Sequence, residues 1–127
     1  MQELHLFEYA VIRVVPKVER EEFLNVGIIL YCAKQKFLKS LFHLNEARLN
    51  AFACETETDF IWRNLLAIEK ICEGKAGSGP IGQLDMASRF RWLTATRSTV
   101  VQASKVHPGF CTDAQETLER LHQQLVL

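Results

Sequence analysis

Arg13 interrupts the run Val11-Ile12-Arg13-Val14-Val15, whose other members are all suited to burial. A guanidinium does not give up its proton, so lodging one unpaired in a protein interior costs several kcal/mol. Complementary polar atoms must answer it. A second apolar run, Leu24 to Cys32, contains Asn25 and Gly27. Asn is depleted in strands, and Gly weakens them unless a bulge or a close backbone approach calls for it. With the connection at residues 16–22, an even-sum antiparallel register places Arg13, Asn25 and Gly27 on one face, with Glu19 and Glu22 at its loop end. Two outcomes stand open. In one, Arg13 reaches solvent at a sheet edge or pairs with Glu19 or Glu22 and fixes the loop. In the other, Arg13, Asn25 and the acidic loop line a pocket for a phosphate, a carboxylate or a partner's acidic side chain. No phosphate-cradling glycine loop accompanies them.

A second constellation is Arg89-Phe90-Arg91-Trp92, followed by Arg97, Ser98, Thr99 and Gln102. Residues 81–110 hold Arg89, Arg91, Arg97 and Lys105 against Asp85 alone, a local net charge of +3. On a helix Arg89 and Trp92 share a side while Phe90 and Leu93 turn to the core. That permits either an exposed arginine-aromatic surface of the kind that stacks on nucleic acid bases, or a half-buried Trp covered by an arginine as packing. His107, before Pro108-Gly109, stands at a strand end where a general acid/base could emerge, or simply closes a turn. No Ser or Cys is arranged with it as a nucleophile. Cys32, Cys54, Cys72 and Cys111 are scattered without a C-x-x-C pair, as reduced thiols used as small hydrophobes would be. Neither they nor the isolated acids suggest a metal site, and nothing suggests a cofactor.

These residues need elements to hold them. Leu4 to Val15 has apolar residues in both alternating sets, the mark of a strand covered on both faces. Pro16 and the charged cluster 17–22 reverse the chain; Phe23 to Ala33 and Lys36 to Leu44 complete an antiparallel meander. The period then changes. Asn45 caps a short helix through Ala53, and Thr56-x-x-Asp59 opens a longer one in which Ile61, Leu65, Ile68 and Cys72 share a face and Gly74 marks the end. Lys75 to Gly82 reads as an exposed loop, and Asp85 caps a third helix with Met86, Phe90 and Leu93 as its stripe and Arg89 within i, i+4 reach of Asp85. Arg97 to His107 returns to β character and is closed by Pro108-Gly109. A last helix starts at Thr112 or Asp113 with Ala114, Leu118, Leu121 and Leu125 on one face. The order β-β-β-α-α-α-β-α predicts a single α+β domain over residues 1–127, a small, mainly antiparallel sheet with helices packed on it.

With 127 residues, 48% hydrophobic and 24% charged, the chain has the composition of one folded domain rather than a disordered or disulfide-stapled one. Fifteen Lys plus Arg balance fifteen Asp plus Glu, so broad electrostatic attraction to nucleic acid or anionic lipid is unsupported. The longest apolar run, Val26 to Ala33, is far short of the ~20 residues a membrane span requires, and residues 1–8 do not read as a secretion signal, so the expected compartment is the cytoplasm.

Taken together, Phe7 to Leu30 resembles the opening motif of a bacterial family catalogued as domain of unknown function 3037. Arg89 to Leu93, Arg97 to Gln102 and Val106 to Gly109 resemble its second signature, so the resemblance spans almost the whole chain and is loose over residues 45–80. It implies a small standalone bacterial protein, with no activity to carry over; some members are expected beside kinase-like proteins of the HipA type, which implies a partner or regulatory role. The first functional expectation is therefore a binding or regulatory module that uses the Arg13, Asn25, Arg97 face or the Trp92 surface. The second is an enzyme or ligand-binding protein for a phosphorylated or carboxylated small molecule. There Arg13, Arg20 and Arg97 hold the anion, Asn25 and Gln102 orient it, and Glu22 or His107 moves protons. That reading requires these side chains to converge. Nucleic-acid binding through Arg89, Arg91, Trp92 and Arg97 ranks last.

Overall fold

A computed structural model describes residues 3–16, 22–52, 58–75, 77–95, 97 and 99–127. Three strands come first: β1 (His5–Val14), β2 (Leu24–Cys32) and β3 (Phe37–Phe42). The helices α1 (Glu46–Phe52), α2 (Thr58–Glu73), α3 (Gly79–Gly82) and α4 (Met86–Leu93) follow, then β4 (Val101–Ala103), β5 (His107–Cys111) and α5 (Ala114–Leu125). The fold is α+β, as the sequence predicts. All strand pairs are antiparallel: β3 pairs β2, β2 pairs β1, and the other side of β1 is shared end to end by β4 and β5.

Because β1 is central and covered on both faces, its alternate residues feed two separate cores. Ala10, Ile12 and Val14 meet Leu49 of α1, Ile61 and Leu65 of α2, and Phe90 and Leu93 of α4. Phe7 and Val11 point the other way, into a cluster with Ile28, Leu30, Cys32, Leu118 and Leu121, so α5 is the helix that covers that face among the described residues. Gln35, in the β2–β3 turn, fastens the start of α5: its Nε2 donates to the Thr112 carbonyl at 2.8 Å and its Oε1 accepts from Ala114 N–H at 2.8 Å. Cys32, Cys72 and Cys111 are buried free thiols; Cys54 lies outside the described residues.

Local helix signals hold. Asn45 Oδ1 accepts from Arg48 N–H, Asp85 Oδ1 from Ser88 N–H, and Asp113 Oδ1 from Gln115 and Glu116 N–H, so each polar residue before a helix satisfies amides that the helix cannot. The proposed Thr56 cap lies outside the described residues. Gly74 ends α2 with φ 66°, the left-handed conformation common just past helix ends.

The structure corrects the expected layout in three places. The stretch 75–82 is not all loop, because Pro80 starts the one-turn helix α3. The single expected fourth strand is two: the chain leaves the ladder at Ser104, whose Oγ accepts from Val11 N–H at 2.8 Å in place of a backbone carbonyl. Pro108 and Gly109 therefore lie inside β5 rather than closing a strand. Pro is tolerated there because β5 is an edge, pairing only with β1. Gly109 is required because a Cβ would sit 2.6 Å from Phe7 Cζ. Among the described residues no helix is long and apolar enough to cross a membrane, and no group of three His, Cys, Asp or Glu could hold a metal ion.

Candidate functional site

The ladder between β1 and β2 shifts register between Ile12 and Arg13. Up to the shift Ile12 faces Gly27; beyond it Arg13 faces Asn25 and Val14 faces Leu24, leaving Val26 as the extra residue of a bulge. The bulge corrects the even-sum expectation for one residue. Gly27 does not share the face of Arg13 but lies opposite Ile12, where a Cβ would meet the Phe42 ring and come within 2.7 Å of the Leu41 carbonyl oxygen. Arg13 and Asn25 are direct cross-strand neighbours, and on the other side Arg13 faces Gln102 of β4. The row Asn25–Arg13–Gln102 thus runs across three strands on the face that α5 covers.

Arg13 sits half-buried at the end of that cover. Its Cζ lies 4.1 Å from the centroid of the Phe23 ring, a cation–π contact. Its Nε is fully buried without a hydrogen-bond partner, and no ion pair of Arg13 is found among the described residues. Asn25 Nδ2 donates to the Leu125 carbonyl at 3.0 Å, tying the last turn of α5 to the sheet, while its Oδ1 is buried and unpartnered. Gln102 Nε2 donates to the Thr99 carbonyl at 2.6 Å. Because α5 ends here, the negative end of its dipole lies in the same corner as the guanidinium and favours it. Exposed apolar groups complete the corner: Phe23 is 47% exposed, Leu125 37% and Leu127 64%. Sequence reasoning missed this rim. Phe23 was legible as sharing the side of Asn25 two residues on, but the contribution of Leu125 and Leu127 depends on where α5 terminates.

The remaining candidates are dispersed. Glu19 and Arg20 lie outside the described residues; Glu22 is exposed beside Phe23 and engaged in an interaction of its own. Arg97 stacks over Trp92, Cζ to ring centroid 4.3 Å, and donates to the Trp92 carbonyl, so it is held at the flank of α4 on the opposite side of the sheet from α5. His107 shares the face of Arg13 but stands opposite Tyr9, ring centroids 5.3 Å apart, four residues or ~13 Å up the strand. The convergence needed for an anion-processing pocket with Arg97 and His107 is absent.

Arg89 is the clearest correction. Expected beside Trp92 on the surface, or paired with Asp85, it is buried instead. Its Nη1 donates to the Ile71 and Cys72 carbonyls, each at 2.7 Å, and its Nε to the Leu84 carbonyl at 3.0 Å. It closes the C-terminus of α2, adding a second donor to the Ile71 carbonyl, which also accepts Gly74 N–H at 3.1 Å, and giving the Cys72 carbonyl a donor, and its positive charge meets the negative end of that helix. A Cβ at Gly74 would lie 2.7 Å from Arg89 Nη1, so the glycine makes room for the guanidinium. The arginine-aromatic surface is thereby reduced to Arg91, Trp92 and Arg97.

The site offers a positioned cation and two anchored carboxamides, which is binding chemistry. No curated protein and no solved structure matches the chain. A family model described as protein of unknown function, DUF3037, matches residues 9–126, which include the whole row and all but the last leucine of its rim. On that match the chain belongs to the DUF3037 family.

Proposed function

We propose that this chain is a small binding or regulatory module that docks a protein partner on the Asn25–Arg13–Gln102 row and its apolar rim. The observation that carries the reading is the state of Arg13: stacked on an exposed Phe23, with its Nε unbonded and no ion pair among the described residues. A carboxylate or phosphate from a partner would engage the terminal nitrogens of the half-buried guanidinium, while Phe23, Leu125 and Leu127 supply apolar area around it. An arginine stacked on an aromatic is the composition that concentrates binding energy at interfaces. A kinase-like protein of the HipA type is the first partner to test, on the strength of the family resemblance, in a bacterial cytoplasm.

The test compares the wild-type chain with Arg13→Glu and Arg91→Glu, each tagged and recovered from the native host. Support requires a stoichiometric protein that accompanies the wild type and Arg91→Glu but is lost with Arg13→Glu, with protection of residues 22–26, at the start of β2, from hydrogen exchange in the complex. Equal recovery by Arg13→Glu, with its fold intact by circular dichroism, overturns the reading.

A further inference from the structure

The outward side of α2 carries a feature that the Arg13 corner does not use. A depression of about 370 Å³ lies between α2 and the turn at Gly77 and Ser78. Leu66 and Ala67 give it exposed apolar surface above the buried Ile71, and among the described residues its charged lining is Arg63 and Lys70 with no carboxylate. The two cations are seven residues apart on the helix, two turns or ~10 Å along its axis. α2 has already buried Ile61, Leu65, Ile71 and Cys72, yet it leaves Phe60 50% and Leu66 52% exposed on its other sides. The far wall is firm and low. Ser78 N–H and Oγ both donate to the Lys75 carbonyl, and a Cβ at Gly77 would meet nothing within 4 Å, so another backbone can approach closely.

We infer that this groove docks an acidic amphipathic α-helix of a partner protein. An open trough two helical turns long, with small residues at its floor and wall, admits the ridge of a helix. The apolar floor calls for Leu-type anchors at helix spacing, and the paired cations call for carboxylates two turns apart on the incoming helix. A phosphate backbone would satisfy Arg63 and Lys70 but leave the exposed Leu66 and Ala67 uncovered. The surface is independent of the Arg13 corner, which lies on the face covered by α5.

The probe is a labelled synthetic helix of about four turns carrying Leu at helical spacing and Glu two turns apart, with a counterpart in which Lys replaces Glu. Fluorescence anisotropy should saturate with the Glu peptide, and Arg63→Glu/Lys70→Glu should weaken it by about tenfold or more while improving binding of the Lys peptide. Ala67→Trp, which fills the trough without changing charge, should also abolish binding, and Arg13→Glu should leave it unchanged. The inference fails if the Glu peptide does not saturate, if both charge-reversed and Trp-filled variants bind it as the wild type does, or if a single-stranded oligonucleotide displaces it.

Discussion

Replacing Arg89 with methionine is the sharpest test of how this chain holds its helices on the sheet. The guanidinium makes three hydrogen bonds to carbonyl oxygens, of Ile71, Cys72 and Leu84, and the residue is 9% exposed. Methionine fills much of the same volume with apolar atoms, so lost packing contributes little. The cost comes from the Cys72 and Leu84 carbonyls losing the guanidinium donor, while Ile71 keeps Gly74 N–H: a hydrogen bond to a charged group contributes about 1.5–3 kcal/mol, and losing the cation at a helix C-terminus adds about 0.5–1. These contributions share one side chain and do not add in full, which places the expected loss at about 3–5 kcal/mol. For a chain of 127 residues that corresponds to a fall of roughly 10–20 °C in the melting midpoint. Arg89→Lys keeps the charge but not the fork and should lose about half as much. Arg91→Met, exposed on the same helix, should stay within about 0.5 kcal/mol of wild type. Urea denaturation monitored by circular dichroism, with equal slopes, measures all three. An Arg89→Met variant within about 1 kcal/mol of wild type would refute the capping role.

Gly109→Ala should cost about 1–3 kcal/mol because the new methyl meets Phe7 Cζ at 2.6 Å; Phe7→Leu in the same chain should recover part of it, and a double-mutant cycle showing strict additivity contradicts the contact. Burial, then the neighbouring charge of His43, lowers the pKa of His122 below its ordinary 6.5, so the folded chain prefers the neutral ring and stability present above pH 6.5 is lost as pH falls through the folded value. His122→Gln should flatten that dependence, and denaturation at several pH values that finds wild type and variant parallel excludes it. Burial also pushes the Cys72 thiol up to about 12, so iodoacetamide at mildly alkaline pH should leave Cys72 unmodified in the native protein and label it after denaturation, as read by peptide mass spectrometry.

The candidate corner was legible in the sequence only as a contradiction. A cation within Val11-Ile12-Arg13-Val14-Val15 and an amide in the next apolar run marked where polar atoms had to meet, and the ladder does pair Arg13 with Asn25 and Gln102. Gly27 looked like part of the same exception because side-chain parity was counted without the bulge at Val26, and a single extra residue exchanges the faces beyond it. Arg89 was misread for a related reason. Helical spacing tells which residues share a side, but the partner of Arg89 is the end of α2, and no periodicity within residues 86–93 reports where another helix stops.

What the sequence determined by itself are the features set by neighbours along the chain. The meander follows from alternating apolar residues and a Pro-charged reversal, the helix starts from Asn45, Asp85 and Asp113, and the end of α2 from Gly74, all governed by backbone geometry over a few residues. Tertiary structure alone decided that β4 and β5 share one side of β1, that α5 ends against Asn25, and that Arg97 stays with Trp92 instead of joining Arg13. Those outcomes depend on which surfaces exclude water together and which buried carbonyls need donors, and such demands are met between residues as many as a hundred positions apart, as between Asn25 and Leu125.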